Sequence, residues 1–152
     1  MSGIQPTDAK NRLRLWIRLL RASRTIESHL RENLAAEFAT TLPRFDVMAA
    51  LNRQSEGMLM SDLSRFLLVS NGNVTGIVDR LVQDGLVWRT QREGDRRTSI
   101  VSLTRAGRDM FAKMAAAHEQ WIDAALKNIS GAEAAELALV LKSFRSNWET
   151  AQ

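Results

Sequence analysis

The chain has 152 residues, 45% of them hydrophobic and 25% charged, which is the size and composition of a single globular domain spanning residues 1–152. It contains no cysteine, which excludes disulfides and thiolate metal ligands and leads us to expect a cytoplasmic protein. No apolar run approaches the roughly 20 residues of a membrane span, and residues 1–10 show no hydrophobic export signal. The formal net charge is +4 and most basic residues are arginine, whose planar fork of N–H donors suits phosphate. Nucleic acid or another phosphorylated ligand is therefore a candidate partner, beside the plainer alternative of a merely basic protein.

The first predicted element is one long helix from about Asp8 to Phe38, because apolar residues recur there at three-and-four spacing. A helix much longer than average needs a partner to cover its length. The apolar stripe consists of Leu13, Trp16, Ile17, Leu20, Ile26, Leu30, Leu34 and Phe38.

A second helix is predicted from Pro43 to about Arg53, since proline favours the first turn of a helix. Its spacing places Phe45, Met48 and Leu51 on the inward face.

A short strand and a short third helix are predicted next. Residues 58–60 are apolar and suit the strand, and Ser61 suits the N-cap of a helix that ends at about Leu68. Asp62 would lie favourably near the N-terminus of that helix.

The fourth predicted helix starts at Ser70 and ends with Gly85 as its C-terminal cap. Its apolar stripe is Val74, Ile77, Val78, Leu81 and Val82, and its polar residues near the start are Asn71, Gly72, Asn73, Thr75 and Gly76. Two glycines within a turn and a half are unfavourable in a helix, but small uncharged residues suit a helix that lies against another surface. Asn and Thr can also hydrogen-bond the edges of DNA bases. The alternative is a capped polar face exposed to solvent.

A hairpin follows, with strands at residues 86–91 and 99–104 and a turn that carries Glu93, Gly94, Asp95, Arg96 and Arg97. A solvated hairpin tip needs only turn-forming residues. An arginine at such a tip can enter a narrow minor groove of DNA, and a neighbouring carboxylate can hold the arginine side chain in position by a hydrogen bond. Two short helices followed by this hairpin predict a winged helix-turn-helix over residues 42–103.

The last two predicted helices have their own caps. Thr104 can cap a fifth helix, and residues 130–133 form a capping box for a sixth. The fifth carries Phe111, Met114, His118, Trp121, Ile122, Ala125 and Ile129 on one stripe, and the sixth carries Leu137, Leu141, Phe144 and Trp148. The helices at residues 8–40 and 104–150 hold more apolar surface than a small winged domain can cover. We therefore expect a mainly α fold with a small β-wing, in which these helices join two copies about a two-fold axis.

The wing segment resembles the signature of the MarR family of bacterial transcriptional regulators. Residues 95–107 have the form D-x-R-x-x-x-V-x-L-T-x-x-G, filled by Asp95, Arg97, Val101, Leu103, Thr104 and Gly107. Residues 70–89 are similar to the family's recognition helix running into its wing. The resemblance implies a homodimer that binds a near-palindromic DNA operator and is released by a small effector.

The DNA contacts that we expect combine the motif positions with basic residues nearby. Asp95 and Arg97 match the wing pair of the family. We also expect Arg65 to contact a phosphate of the DNA backbone. The full set is Arg65, Ser70, Asn71, Asn73, Thr75, Arg80, Asp95, Arg96 and Arg97.

The resemblance also implies an effector site where the first, second and fifth helices meet. The candidates are Trp16, Arg24, His29, Phe45, Met48, Met114 and His118. Aromatic and methionine residues on a helical stripe are more often core residues than ligand contacts. Residues 13–31, 40–51 and 70–76 look like the branch of the family that senses aromatic acyl-CoA thioesters. The arginines of the first helix, Arg12, Arg14, Arg18, Arg21 and Arg24, could then meet the phosphates of coenzyme A. A free phenolic acid is the alternative effector.

An enzyme is not expected. The two histidines, His29 and His118, lie on separate helices, and the sequence has no HExxH, P-loop, GxGxxG or serine nucleophile motif. We therefore predict no catalytic residues, no metal ligands and no cofactor. The remaining alternatives are a DNA-binding architectural dimer without an effector, and a protein-interaction adaptor, which would need an uncharged wing tip.

Overall fold

A computed structural model describes residues 6–67, 71–91 and 98–149, of which residues 6, 71–72 and 145–149 are described by their backbone only. The described chain is mainly helical with one three-stranded sheet, which confirms the predicted fold class. In chain order the elements are α1 (Pro6–Phe38), α2 (Leu42–Asn52), β1 (Met58–Leu59), α3 (Met60–Leu67), α4 (Asn71–Gln83), β2 (Val87–Gln91), β3 (Ser99–Leu103), α5 (Arg105–Ala125) and α6 (Gly131–Glu149).

The chain divides into two compact units, one ending at His118 and the other beginning at Glu119. The first unit contains the sheet and the buried core. Its fully buried side chains include Leu34, Met48, Leu63, Val78, Leu81, Val101 and Met114. None of the described helices is long and apolar enough to cross a lipid bilayer.

Helix α1 has the predicted length but is buried only towards its C-terminal end. Leu30 and Leu34 are buried, whereas Leu13, Trp16 and Ile17 are exposed. The apolar stripe of the N-terminal half therefore has no cover within the described chain.

Helix α2 starts as its sequence predicts. The Thr41 side chain accepts a hydrogen bond from the Arg44 backbone N–H over 3.3 Å, and a proline occupies the first turn. Phe45, Met48 and Leu51 are buried, which confirms the predicted inward face.

Helix α3 begins two residues earlier than predicted, because a cap at Ser61 would make Asp62 the first helical residue. It starts at Met60, directly after β1 ends at Leu59, so Ser61 lies within the first turn and does not cap it. The strand leads straight into the helix, and this leaves no separate capping position. Asp62 is in the first turn, as expected.

The sheet has the strand order β1-β3-β2, with antiparallel pairing throughout. Its register pairs Met58 with Val101 and Val87 with Leu103. Gly57 precedes β1 with a φ of +87°, and a Cβ there would lie 2.9 Å from the carbonyl oxygen of Val101. Only glycine fits this entry to the sheet.

Gly85 ends α4 with a φ of +74°, as the sequence predicts. The Leu86 N–H donates to the Leu81 carbonyl and the Gly85 N–H donates to the Val82 carbonyl, each over 3.0 Å. These two bonds form a Schellman motif, which fixes the direction in which the chain leaves α4.

The second unit contains the predicted capping box. The Ser130 N–H donates to the Glu133 carboxylate over 2.8 Å, and the Glu133 N–H donates to the Ser130 hydroxyl over 3.2 Å. These bonds to the charged form lower the pKa of Glu133. Leu137, Leu139 and Leu141 of α6 are at least half exposed.

Candidate DNA interface and ligand cavity

The exposed face of α4 carries Asn73, Gly76 and Arg80, which share one side of the helix at three-and-four spacing. Thr75 is half-buried and lies on a different side. A Cβ on Gly76 would meet no atom within 4 Å, so packing within the described chain does not require a glycine there. Asn73 and Gly76 are uncharged and small, which suits close contact with another surface, and Arg80 adds a positive charge on the same side.

The other side of α4 anchors it in the core. Val74, Val78 and Leu81 are fully buried, whereas Ile77 is half-buried and Val82 is exposed. The predicted apolar stripe is therefore confirmed at Val74, Val78 and Leu81. Val82, at the end of the stripe, is exposed to solvent.

Two ion pairs fix α4 against its neighbours. Asp79 accepts from the Arg89 guanidinium of β2 over 2.6 Å, and Asp84, just after α4, accepts from Arg44 of α2 over 2.5 Å. Arg89 also donates to the Ser99 hydroxyl over 3.4 Å, which ties the pair to β3. The paired residues are ten and forty positions apart in sequence, so no local spacing predicts these contacts.

The remaining predicted DNA contacts are placed as follows. Arg65 lies on α3 with its side chain exposed and ion-paired with Asp62. Strands β2 and β3 form the predicted hairpin. Ser70, Asp95, Arg96 and Arg97 lie outside the described residues, and so does the side chain of Asn71.

The structure places the seven predicted effector residues in different surroundings. Phe45, Met48 and Met114 are buried in the core, and Trp16, Arg24 and His29 are exposed on α1. The His118 ring stacks on Phe45 with centroids 4.8 Å apart, and Phe45 also contacts Phe111 at 5.5 Å. The structure thus brings Phe45 and His118 together in a packed aromatic cluster. The role of the seven residues in effector binding stays a prediction.

A cavity of about 640 Å³ lies among α1, the start of α2 and α4, and we call it the α1–α4 cavity. Its described lining combines apolar side chains with Glu27, Arg31, Thr41, Asp46 and Asn73. Burial, followed by the neighbouring Glu27 carboxylate, raises the pKa of Asp46, while His118 and Arg31 act in the opposite direction. The sequence does not predict this cavity, because its polar residues follow no motif.

The described residues contain no group of three or more His, Asp or Glu side chains that could hold a metal ion.

The chain matches a family model described as the MarR family over residues 40–99. Among curated proteins, the chain is 36% identical over 112 residues to the transcriptional activatory protein BadR of Rhodopseudomonas palustris, covering 71% of this chain and 63% of that protein. It is also 32% identical over 123 residues to the uncharacterized HTH-type transcriptional regulator YkoM of Bacillus subtilis, covering 80% of this chain and 78% of that one.

A solved structure matches over nearly the whole chain. The MarR family transcriptional regulator from Silicibacter pomeroyi aligns with a TM-score of 0.73 and 32% sequence identity, covering 97% of this chain and 100% of that one. This chain therefore resembles that relative in both fold and sequence over the relative's full length.

Proposed function

We propose that this chain, which belongs to the MarR family of DNA-binding transcriptional regulators, acts as a dimeric repressor that leaves its operator when a small aromatic effector binds. Its relatives are transcriptional regulators, and the chain is not an enzyme. The observation that carries the proposal is the exposed face of Asn73, Gly76 and Arg80 on a helix anchored by buried side chains and two ion pairs.

In the proposed complex α4 enters the major groove. Asn73 is the residue type that bonds adenine in a bidentate manner, and Gly76 lets the helix backbone approach the bases. Arg80 and Arg65 are suited to phosphate contacts, which position the protein without reading sequence. The wing would place Arg97, braced by Asp95, in the neighbouring minor groove.

Dimer formation is supported by apolar residues that the described chain leaves uncovered. Leu13 and Trp16 of α1 are each 57% exposed, and Leu139 and Val140 of α6 are 67% and 63% exposed. Such a surface is typical of an interface. A two-fold dimer would present its two α4 helices to major grooves about 34–36 Å apart.

The proposed effector is an aromatic acyl-CoA thioester or a free phenolic acid. Arg14, Arg18 and Arg21 are exposed on one face of α1 and border a groove of about 480 Å³. Guanidinium groups in this arrangement suit phosphates or a carboxylate. A ligand weakens DNA binding only if it prefers a dimer whose α4 helices are misplaced for the operator.

Operator binding measured with and without effector tests the proposal. An operator is selected from random DNA, and its affinity is measured at fixed salt with p-coumaroyl-CoA, benzoyl-CoA and the free phenolic acids. We expect at least one compound to lower the affinity about tenfold, which corresponds to about 1.4 kcal/mol. Transcription from a promoter that overlaps the operator should fall on adding the protein and recover with the effector.

The same experiment separates the alternatives. An architectural DNA-binding dimer would bind the operator with an affinity that none of the compounds changes. The relative BadR is named an activatory protein, and an increase in transcription on adding this chain would replace repression by activation.

A further inference from the structure

We propose that a groove beside Trp88 binds an acidic segment of a partner protein, in which carboxylates flank an apolar side chain. We call it the Trp88 groove. It has a volume of about 500 Å³ and lies among the end of α4, the start of β2 and the start of α5. The inference goes beyond DNA binding and the effector response, because it gives the chain a second macromolecular partner.

The apolar part of the Trp88 groove is an indole ring beside a valine. Side chains alternate along β2, so Val87 faces the core and Trp88 faces away from it. Trp88 is 64% exposed, and Val82, which lines the same groove, is also exposed. An indole ring in contact with water offers a large apolar area to a partner.

Two arginines supply the charge of the Trp88 groove. Arg105 and Arg108 are three positions apart on the first turn of α5, so they share one side of the helix, and both are exposed. The part of the lining that the structure describes holds no carboxylate. A partner segment that carries carboxylates would therefore meet charges of opposite sign, and such complementarity selects one class of partner over others.

Backbone hydrogen bonds fix the parts of the Trp88 groove relative to one another. The Thr104 N–H, just before α5, donates to the Leu86 carbonyl over 3.0 Å, and the Leu86 N–H donates to the Leu81 carbonyl of α4 over 3.0 Å. These bonds join the start of α5 to the turn between α4 and β2. A surface that is already ordered loses less conformational entropy when a partner binds.

The Trp88 groove lies away from the face of α4 that is proposed to read bases. Val82 and Asn73 are nine positions apart, which is about two and a half turns of the helix, so their side chains lie on opposite sides of it. DNA bound at Asn73 therefore leaves the groove open. The chain can hold a partner protein while it is on its operator.

The composition of the Trp88 groove favours protein over nucleic acid. Tryptophan and arginine are the residue types that most often dominate the binding energy of protein–protein interfaces. A phosphate backbone would contact the guanidinium groups of Arg105 and Arg108 but would leave Trp88 and Val82 without an apolar partner. A protein segment with both carboxylates and an apolar side chain uses all four residues.

Fluorescence anisotropy with a labelled synthetic peptide tests the Trp88 groove in the full-length protein, with and without its operator. In this peptide aspartates flank a central leucine–phenylalanine pair, and in a control peptide asparagines replace the aspartates. We expect the aspartate peptide to bind in both states and its affinity to fall as salt is raised. The asparagine peptide should bind about tenfold more weakly or less. Absence of binding by the aspartate peptide, or equal affinity for the two peptides, would overturn the proposal.

Trp88→Ala tests the apolar part of the groove. It should weaken binding of the aspartate peptide about tenfold or more, because the indole contact is lost. Phe66→Ala removes another exposed aromatic side chain, on α3, and should leave the affinity unchanged. Circular dichroism should show the same helix content in both variants. Equal peptide binding by the two variants would contradict the assignment, and so would loss of the dimer in Trp88→Ala, which would place the groove between copies of the chain.

Reversal of charge tests the two arginines. The double variant Arg105→Glu and Arg108→Glu should lose the aspartate peptide and bind a peptide with lysines in place of the aspartates. Arg53→Glu, at an exposed position after α2, should keep the preference of the wild type. If the double variant keeps the aspartate peptide and binds operator and random DNA more weakly, Arg105 and Arg108 contact DNA phosphates and the inference fails.

Discussion

The Thr104 hydroxyl donates a hydrogen bond to the Gly85 carbonyl over 2.7 Å, joining the end of α4 to the start of α5. The same hydroxyl accepts from the Gly107 N–H over 2.9 Å, so it also caps α5. A Cβ on Gly107 would lie 2.0 Å from the Leu86 carbonyl oxygen. The threonine and glycine of the wing signature therefore hold α4 in place and need not touch DNA.

Substitution of these residues should destabilise the fold. Gly107→Ala forces a methyl group onto a backbone carbonyl, and we expect a loss of about 3 kcal/mol or more in the free energy of unfolding. Thr104→Val leaves the buried Gly107 N–H and the part-buried Gly85 carbonyl without the Thr104 hydroxyl, which should cost about 1–3 kcal/mol. Urea unfolding measures both. Gly131→Ala is the control, because a Cβ there meets no atom within 4 Å. A Gly107→Ala protein as stable as this control would contradict the close approach.

Gly76→Ala should separate stability from DNA binding. The position lies in open space on α4, and alanine favours a helix over glycine by about 1 kcal/mol. We expect the variant to unfold at a higher urea concentration and to bind the operator more weakly, because the methyl group would hold α4 away from the bases. Equal or tighter operator binding would show that Gly76 does not approach DNA.

Leu141→Glu should convert the proposed dimer into a monomer. Leu141 is 50% exposed on α6, so a charge there can be solvated in the monomer but not in an apolar interface. Sedimentation should give one chain per particle, while circular dichroism shows unchanged helix content. Asn128→Glu adds the same charge in the exposed turn before α6 and should remain dimeric. A dimeric Leu141→Glu protein would place the interface elsewhere.

The free energy of unfolding should depend on pH through the carboxyl group of Asp46. Its pKa is raised from an ordinary value of 3.8, so the folded state binds the proton more tightly than the unfolded state. This group's contribution to stability is therefore full below pH 3.8 and is lost as the pH rises through the folded pKa. Asp46→Asn should be at least as stable as the wild type at pH 7, and the difference in melting temperature should shrink towards pH 4. A difference that does not vary with pH would contradict the raised pKa.

The sequence predicts the helices well because their signals are local. Periodicity finds the stripe of α4, Gly85 ends that helix, and Ser130 with Glu133 forms the expected capping box. The predicted start of α3 is wrong by two residues, since the pairing of β1 with β3 decides where the helix begins and Ser61 alone cannot show this.

The site is predicted less completely because it depends on contacts between distant segments. The apolar stripes of the sequence predict that Phe45 and Met114 face inward. They do not predict how completely the neighbouring helices bury these two side chains. The pairs of Arg44 with Asp84 and Arg89 with Asp79 exist only after the helices have packed. Arg31 and Asp46 likewise meet at one cavity only in the folded chain.

The central claim is that the exposed face of α4 reads DNA sequence, and the affinity ratio between the selected operator and random DNA at fixed salt tests it most directly. Asn73→Ala should lower this ratio about tenfold, because a bidentate base contact provides about 1–3 kcal/mol of discrimination. Arg65→Ala, on the exposed surface of α3, should weaken binding to both DNAs alike and leave the ratio unchanged. If Asn73→Ala lowers both affinities equally, α4 positions the protein without reading bases, and the account is contradicted.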